Sequence, residues 1–375
     1  MSEKRVVVLG AGPSGLAVAA CLRRRGLNPT ILERSEAVGS TWRNHYRRLH
    51  LHTVKEHSAL PGLGWPEQVP TYPARQDVVD YLEAYAAKFE LLPRFGEEVT
   101  RVRREGDAWE LTHTSGSTRA DAVVVCTGYN RVPHEPTWPG EEGFTGAILH
   151  ASKYLDGSPF RGKRALVVGA GNTGAEIALD LWEHGASSVE LCIRGPVHVV
   201  PRDLLGLPAQ ITSLRIMQHL PPKLADKITL SLLRFVVGDL SRWGIRRPKL
   251  GPVSQVLREK QIPLIDVGTV ALIRQGKIVV IPGIERFDAE GVHTVDGAAH
   301  PVDVVILATG YRAGIAAFLE ESEGLLDERG YPTVFGAEAA PGLFFVGFRN
   351  PLTGQIHDIA REAERVAAAI AGGGR

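Results

Sequence analysis

The sequence predicts an α/β protein with two similar nucleotide-binding units. Residues 5–19 and 164–178 resemble each other, because each carries a short β-branched run, a turn with three glycines and the start of an amphipathic helix. Each segment is followed later by an apolar strand that ends in Thr-Gly-Tyr, at residues 122–129 and 304–311. Strands that alternate with helices favour a parallel sheet covered on both faces. We therefore predict two Rossmann-like dinucleotide-binding domains of the three-layer type.

The first glycine turn lies between a predicted strand and a predicted helix, which is the context in which this motif binds a dinucleotide. Gly10 permits the tight turn, Gly12 lets the backbone approach a pyrophosphate, and Gly15 lets helix and strand pack closely. The next strand ends in Glu33, which is placed to accept hydrogen bonds from a ribose. The residues predicted for this first site are Gly10, Gly12, Pro13, Ser14, Gly15, Glu33, Arg34, Thr127 and Gly128.

The second glycine turn has the same context, but the strand after it ends in Arg194 instead of an acid. A guanidinium at this place suits a 2′-phosphate and favours NADP over NAD, although Arg194 also fits a solvated strand end. One site with an acidic strand end and one with a basic strand end indicate FAD first and NADPH second. The residues predicted for the second site are Gly169, Gly171, Asn172, Thr173, Gly174, Arg194, Thr309 and Gly310.

The order of the elements predicts one discontinuous domain. We expect residues 1–150 and 310–375 to form the FAD-binding domain, because a last helix, from about residue 355 to 370, follows the second unit. Residues 151–309 then form the NADPH-binding domain. A stretch at about 204–250 mixes Leu, Ile and Arg and predicts a helical insert, which fits a lid or pocket wall better than a membrane-surface helix.

Composition excludes several classes of function. Lys and Arg number 43 and Asp and Glu 42, so the net charge of +1 provides no field that would attract nucleic acid or an anionic membrane. The three cysteines are isolated and no Cys/His cluster has metal-ligand spacing, so we expect no metal and a reducing, cytoplasmic setting. The apolar run at residues 6–9 is too short for a signal peptide or a membrane span. No pattern indicates an oligomeric state.

The segment between the two units resembles a known signature. Phe144, Gly146, His150 and Tyr154 match the Phe-x-Gly-x-x-x-His-x-x-x-(Tyr/Phe) pattern of class B flavin monooxygenases, with Leu155 where the family usually has a basic residue. Baeyer–Villiger monooxygenases have Trp at the position of Tyr154. Further stretches resemble plant YUCCA-type flavin monooxygenases, and together they span nearly the whole chain: residues 70–76, 81–86, 238–244, 247–252, 266–269, 277–284 and 307–311.

This resemblance implies an enzyme that uses FAD, NADPH and O2, forms a flavin C4a-(hydro)peroxide and oxygenates a small organic substrate. The type reaction of the YUCCA-type family is oxidative decarboxylation of indole-3-pyruvate, a 2-oxo acid, to indole-3-acetate. Relatives with the same layout oxygenate amines, sulfides or indole, so S- or N-oxygenation stays open, as does an uncoupled NADPH oxidase. A non-catalytic FAD/NADPH redox sensor is the alternative of another class. A disulfide reductase would need a cysteine pair, and the cysteines here are isolated.

Three further residues are predicted near the flavin. Trp42 lies in a segment that resembles the family's Gly-Gly-x-Trp element, so it either packs against the isoalloxazine ring or is a core aromatic. His52 occupies the place of a family Asn that reaches the flavin, and it is the candidate catalytic residue, with a purely structural role as the alternative. Gln355 starts the last helix, whose amides are expected near the flavin pyrimidine edge.

Overall fold

The structure is a computed structural model that describes residues 4–204, 206–211, 219–259, 261–349, 351 and 353–372. The chain divides into two compact units. The first comprises Met1–Arg43, Thr53–Val132 and Tyr311–Arg375, and the second comprises Asn44–His52 and Pro133–Gly310.

Within the described residues the elements have the following bounds. The strands are β1 Val6–Leu9, β2 Thr30–Leu32, β3 Val99–Glu105, β4 Ala108–His113, β5 Gly116–Ala120, β6 Ala122–Val125, β7 Val132–Pro133, β8 Ala147–His150, β9 Arg164–Val168, β10 Ser188–Cys192, β11 Val199–Pro201, β12 Asp203–Leu204, β13 Leu207–Pro208, β14 Leu264–Asp266, β15 Ile278–Ile281, β16 Ile284–Phe287, β17 Gly291–Thr294, β18 Ala299–Pro301, β19 Val304–Leu307, β20 Tyr311–Arg312, β21 Glu338–Ala340 and β22 Leu343–Phe345. The α-helices are α1 Pro13–Arg23, α2 Ser40–Arg43, α3 Arg75–Lys88, α4 Asn172–Glu183, α5 Pro222–Val236, α6 Pro252–Glu259, α7 Thr269–Arg274 and α8 Gln355–Gly372.

The first unit is built on a five-stranded sheet in the order β2-β1-β6-β22-β21. Strands β1, β2, β6 and β22 are parallel, and only β21 runs antiparallel to its neighbour. Every residue of β1 and β6 is buried, as expected for β-branched runs covered on both faces. The antiparallel sheet β3-β4-β5 belongs to the same unit, as the sequence order of strand pair and buried strand predicts.

The second unit repeats this plan with a five-stranded sheet in the order β15-β10-β9-β19-β8, in which every pair is parallel. A three-stranded antiparallel sheet, β16-β17-β18, accompanies it. Besides Asn44–His52, the unit contains Pro133–Gly310, so its main segment starts before residue 150, where the sequence placed the boundary, because β8 pairs along its whole length with β19. The α/β fold class with parallel sheets is confirmed.

The stretch at about 204–250 is helical only in part. Among its described residues, helix α5 and residues 209–211 are helical, the short antiparallel pair β12-β13 precedes them, and a 3₁₀ turn at Ser241–Trp243 follows α5. Residues 205 and 212–218, which also fall in the predicted insert, lie outside the described residues. The last helix, expected to start at about residue 355, is α8.

Candidate dinucleotide sites

The first glycine turn is shaped by close backbone contacts. Gly10 has φ +105°, and a Cβ there would lie 2.8 Å from the Cys126 carbonyl oxygen. A Cβ on Gly15 would lie 1.8 Å from the Gly10 carbonyl oxygen, so α1 and β1 approach as closely as only glycine allows. A Cβ on Gly12 would meet no atom of the described chain within 4 Å. Gly10 and Gly15 therefore serve packing, whereas Gly12 leaves open space.

Helix α1 begins beside that open space. Gly12 is its N-cap and provides no side-chain cap, and Pro13 occupies the first turn, where a missing N–H costs nothing. The Ser14 and Gly15 amides are among those that helix geometry leaves without an intrahelical acceptor. Amides of this kind, together with the helix dipole, bind phosphate. The turn thus has the form of a diphosphate cradle.

Glu33 braces the turn from the end of β2. Its Oε2 accepts a hydrogen bond from the Ala11 amide at 2.7 Å, and its Oε1 accepts one from the Ser35 amide at 2.9 Å. Each carboxylate oxygen keeps lone-pair capacity for a second donor, so the predicted ribose contact remains open to it. Arg34, the next residue, is exposed.

The end of β6 contributes a buried hydroxyl. Thr127 Oγ1 is shielded from solvent and has no hydrogen-bond partner in the described parts of the chain. A Cβ on Gly10 would lie 3.7 Å from the Thr127 Cα, which places this hydroxyl's residue at the glycine turn. Gly128 follows with φ +73° and open space at its Cβ position. A buried donor without a partner is the kind of group that a bound ligand satisfies.

Two further predicted FAD-site residues, Trp42 and Gln355, belong to the first unit. The short helix α2 carries half-buried Trp42, and it starts next to the glycine turn because the Gly39 amide donates to the Ala11 carbonyl at 3.1 Å. Gln355 opens α8 and donates from Nε2 to the Gly347 carbonyl at 3.0 Å. The Gln355 side chain therefore holds the helix start in place, while the first amides of α8 remain for a ligand.

Sequence reasoning missed Glu362. This α8 residue is 1% exposed, and its Oε2 accepts a hydrogen bond from the Gly347 amide at 3.0 Å. Its Oε1 has no partner among the residues described, and burial raises the pKa of the carboxyl group, outweighing the Gly347 amide. Gly347 in turn packs on the first turn of α1, since a Cβ there would lie 2.0 Å from Ser14 Oγ. The sequence does contain a signal for Glu362, because this acid lies on the same helix face as the buried apolar residues Ile359, Ala363 and Val366.

The second glycine turn reproduces the geometry of the first. Gly169 has φ +118°, and a Cβ there would lie 2.4 Å from the Ala308 carbonyl oxygen. A Cβ on Gly174 would lie 1.9 Å from the Gly169 carbonyl oxygen, and one on Gly171 would meet nothing within 4 Å in the described chain. Helix α4 starts directly after Gly171. The second turn therefore has the form of a diphosphate cradle as well.

Two predicted residues of the second site differ in their surroundings. Asn172 Oδ1 accepts a hydrogen bond from the Ile265 amide at 2.7 Å, so this side chain ties β14 to the turn. Thr173, next in α4, is half-buried. Arg194 is exposed two residues beyond β10, the neighbour of β9, and its stem packs near Gly283. Its guanidinium is therefore accessible to a 2′-phosphate.

The Thr309-Gly310 pair is engaged by its own unit. Thr309 Oγ1 donates to the His134 carbonyl. Gly310, with φ +86°, accepts at its carbonyl from the His134 amide at 3.0 Å and from His150 Nε2 at 3.1 Å. The pair thereby ties residues 134–150 to the end of β19.

The residues of the Phe144–Tyr154 signature form packing contacts and hydrogen bonds within the second unit. His150 is 1% exposed, its Nδ1 accepts from the Ser152 amide at 3.1 Å, and burial lowers the pKa of the imidazole. Tyr154 donates from its hydroxyl to Asp180 Oδ2 at 2.6 Å, which ties the signature to α4. A Cβ on Gly146 would lie 2.6 Å from the Asp303 carbonyl oxygen. In this chain, Gly146, His150 and Tyr154 of the signature therefore all serve packing and hydrogen bonding within the second unit.

His52 lies in the second unit, although the sequence placed it in the FAD-binding domain. Its Nε2 is 2.7 Å from Oε1 of Glu176, a residue of α4 that is 3% exposed. Nδ1 of the same ring is buried and has no hydrogen-bond partner in the described chain. Glu176 is a second residue that sequence reasoning missed, because the two partners lie 124 positions apart.

The three cysteines are free and buried. Burial raises the pKa of Cys21 to about 12 and that of Cys192 to about 11, and it holds the pKa of Cys126 well above its ordinary value. Protonated, separate thiols do not support disulfide exchange, which requires a thiolate.

No group of three or more His, Cys, Asp or Glu side chains in the described chain could hold a metal ion. No described helix has the length and apolar content to cross a membrane.

Each unit thus has one glycine turn with the form of a diphosphate cradle. The chain also matches a known protein family. The model of the flavin-binding monooxygenase-like family matches residues 3–371. The chain belongs to this family. It is a flavin-dependent monooxygenase, which uses O2, so the predicted flavin cofactor, the enzyme class and the class B resemblance are confirmed.

Individual relatives agree with this placement. The "Indole-3-pyruvate monooxygenase YUCCA1" of Oryza sativa subsp. japonica is 40% identical, with 96% of this chain and 90% of that protein covered. A flavin-containing monooxygenase from Stenotrophomonas maltophilia is similar in structure, with TM-score 0.73, 25% identity and 99% of both chains covered. An oxidized steroid monooxygenase bound to NADP shares the fold, with TM-score 0.78, 19% identity, and coverage of 100% of this chain and 86% of that one.

Proposed function

We propose that this monooxygenase acts on a 2-oxo acid of the indole-3-pyruvate type and releases the shortened carboxylic acid. The balanced reaction is indole-3-pyruvate + NADPH + H⁺ + O2 → indole-3-acetate + CO2 + NADP⁺ + H2O. The observation that carries the proposal is the 40% identity, over 96% of the chain, to a relative named for indole-3-pyruvate. An identity of this extent supports the same class of acceptor.

The first unit is assigned to FAD and the second to NADPH. In the first, the amides at the start of α1 hold the diphosphate, Glu33 accepts from a ribose hydroxyl, and the Thr127 hydroxyl donates to the cofactor. This assignment rests on the open space at Gly12, the bracing role of Glu33 and the unpartnered Thr127 hydroxyl. Arg34, Trp42 and Gln355 complete the FAD site in the proposal.

In the proposal, the second unit binds the reductant, NADPH, in the same way. The start of α4 holds the diphosphate, with open space at Gly171, and exposed Arg194 binds the 2′-phosphate. In the proposal, Thr309 and Gly310 contribute to the shape of the site and not to ligand hydrogen bonds, since both already form hydrogen bonds with protein groups. His52 is the candidate for a direct contact with a ligand because one ring nitrogen is buried and unpartnered in the described chain.

Bound FAD supplies hydride acceptance and activation of O2, and the protein supplies binding, orientation and exclusion of water. We place the enzyme in the cytoplasm, because three free, buried thiols suit a reducing compartment. Its only partners in the proposal are the small-molecule substrate and O2. Cell fractionation that recovers the enzyme in an oxidising compartment would overturn the location.

The test is NADPH oxidation by the FAD-loaded protein with three acceptors in parallel: indole-3-pyruvate, a tertiary amine and a dialkyl sulfide. Indole-3-acetate formed in a one-to-one ratio with NADPH supports the proposal. An N-oxide or S-oxide as the coupled product moves the substrate class to soft nucleophiles. Hydrogen peroxide without any oxygenated product indicates an uncoupled oxidase, and absence of flavin reduction by NADPH indicates a redox sensor.

A further inference from the structure

His52 and Glu176 form a buried pair that joins two remote parts of the sequence. His52 Nε2 and Glu176 Oε1 are 2.7 Å apart, and the side chains are 20% and 3% exposed, respectively. Both residues belong to the second unit: His52 ends the segment Asn44–His52, and Glu176 lies in α4. A carboxylate that is so well buried holds its partner in one orientation, because the carboxylate has no solvent as an alternative partner.

The position of Glu176 is set by the glycine turn. Helix α4 starts at Asn172, and Gly174 packs on the Gly169 carbonyl, so the first turns of the helix are fixed against β9. Glu176 lies two residues after Gly174 and inherits this fixed position. The carboxylate is therefore part of the rigid frame that holds the second diphosphate cradle.

The carboxylate determines the tautomer of His52. An ionised carboxylate only accepts hydrogen bonds, so the proton of a neutral ring must lie on Nε2. Nδ1 then carries a bare lone pair. That atom is buried and has no hydrogen-bond partner in the described chain, and buried polar atoms are rarely left unsatisfied. Nδ1 is thus ready to accept from a ligand.

A neighbouring histidine is arranged differently. The His50 ring is on an exposed residue and its Nδ1 lies 2.6 Å from the Arg48 carbonyl, so it is engaged by the local backbone. Arg48 itself pairs with Glu183, at the other end of α4. The contact with Glu176 therefore singles out His52 within this segment.

We infer that Glu176 is a positioning residue that holds His52 with Nε2 protonated, so that Nδ1 accepts a hydrogen bond from a hydroxyl or carboxamide donor of NADP(H). The inference rests on the proposed assignment of the second glycine turn to NADPH. It makes His52 a ligand-binding residue whose orientation comes from the helix that also starts the diphosphate cradle.

Long-range ¹H–¹⁵N spectra of the FAD-loaded protein, with His52 assigned by comparison with His52→Asn, test the inference without disturbing Glu176. The expected result is an Nε2-protonated ring whose Nδ1 resonance shifts on saturation with NADP⁺. A proton on Nδ1, or an Nδ1 resonance that stays constant while NADP⁺ binds, would overturn it.

Variants give a second measurement. Glu176→Met keeps the side-chain volume but removes the acceptor, and it should raise the Kd of NADP⁺ about tenfold, the value of one well-placed hydrogen bond. Glu176→Gln keeps an acceptor oxygen and should restore most of the affinity. The matched control is Glu190→Met, since Glu190 Oε1 lies 3.0 Å from His300 Nδ1 in the same unit, on β10 and β18. Equal effects of Glu176→Met and Glu190→Met on the Kd of NADP⁺ would contradict the inference.

Anaerobic reduction of the wild-type flavin by NADPH tests the proposed function separately from the inference about Glu176. If NADPH fails to reduce the flavin, the proposed function fails by itself. If reduction proceeds normally while the His52 tautomer and the NADP⁺ affinity do not respond to Glu176, the inference alone is wrong.

Discussion

Thr127 and Thr309 each lie two residues after corresponding strands of the two units, β6 and β19, yet their hydroxyl groups have opposite surroundings. Thr127 Oγ1 is buried without a partner in the described chain, whereas Thr309 Oγ1 donates to the His134 carbonyl. The same Thr-Gly-Tyr sequence therefore leaves a donor available in one unit and uses it for structure in the other. This difference yields a paired experiment.

Thr127→Val should weaken FAD binding roughly five- to tenfold, because one hydrogen bond to the cofactor is lost while volume is kept. The stability of the apoprotein should not fall, since the removed hydroxyl has no protein partner in the described chain. Thr309→Val should lower the free energy of unfolding by about 1 kcal/mol and leave FAD affinity unchanged. Fluorescence titration with FAD and urea unfolding measure the two effects, and the reverse pattern would contradict the assignment.

The second and third glycines of the first turn, Gly12 and Gly15, should respond differently to alanine. At Gly12 the backbone has φ −82°, which alanine adopts, and the Cβ position is open, so Gly12→Ala should fold but fail to retain FAD. Gly15→Ala would place a Cβ 1.8 Å from a backbone oxygen, so it should not fold stably. Circular dichroism and the visible spectrum separate these outcomes. A yellow, fully loaded Gly12→Ala protein would argue against the diphosphate at this turn.

Gly171→Ala provides the corresponding test in the second unit. Its N-cap backbone has φ −83°, so the variant should stay folded and yellow. NADPH should reduce its flavin with a KM raised on the order of tenfold or more, because the added methyl group occupies the approach of the diphosphate. An unchanged KM would remove the second turn from the NADPH site.

Arg194→Ala should reduce the preference for NADPH over NADH on the order of tenfold, the value of a hydrogen bond to a charged group. The ratio of kcat/KM values for the two reductants is the measurement. Arg258→Ala, a change at another exposed arginine of the second unit, is the matched control and should leave the ratio unchanged. Equal ratios for wild type and Arg194→Ala would indicate that Arg194 is only a solvated residue at the end of its strand and does not bind the 2′-phosphate.

Glu362 should make stability depend on pH in an unusual direction. Burial raises the pKa of this carboxyl group, so the folded state holds its proton more tightly than the unfolded state does. The contribution is fully present below the unfolded pKa of about 4.5 and is lost as pH rises through the folded pKa. Glu362→Gln keeps the acceptor for the Gly347 amide and should therefore be at least as stable as wild type at pH 8.

Glu364, on the same helix, is the control for that measurement. Burial opposes the shift, but hydrogen bonding and charge from Arg25 and Arg24 lower the pKa of Glu364 overall. Its stabilising contribution is present above the unfolded pKa and is lost as pH falls through the folded one. Urea unfolding of Glu362→Gln and Glu364→Gln between pH 4 and pH 8 should give slopes that change in opposite directions.

Local patterns predicted most of the fold. Each glycine turn requires backbone conformations and close approaches that only glycine allows, so the motif between a β-branched run and a helix was decisive evidence for two nucleotide-binding units. Gly10 and Gly169 have positive φ, and the carbonyls they meet belong to the strands predicted to lie beside them. The last helix was likewise predictable from its periodic apolar face. The insert was predicted less well, because Pro and irregular spacing give no clear period.

The sequence by itself determined two dinucleotide-binding units and membership of a flavin monooxygenase family, because motifs of a few adjacent residues dictate the local backbone that phosphate recognition needs. The tertiary structure decided which polar groups are left for ligands. It pairs His52 with Glu176 across 124 positions, satisfies Thr309 but leaves Thr127 unpartnered in the described chain, and buries Glu362 beneath Gly347. Such contacts depend on how distant segments pack, and a hydrogen bond between residues far apart in the chain has no local sequence pattern.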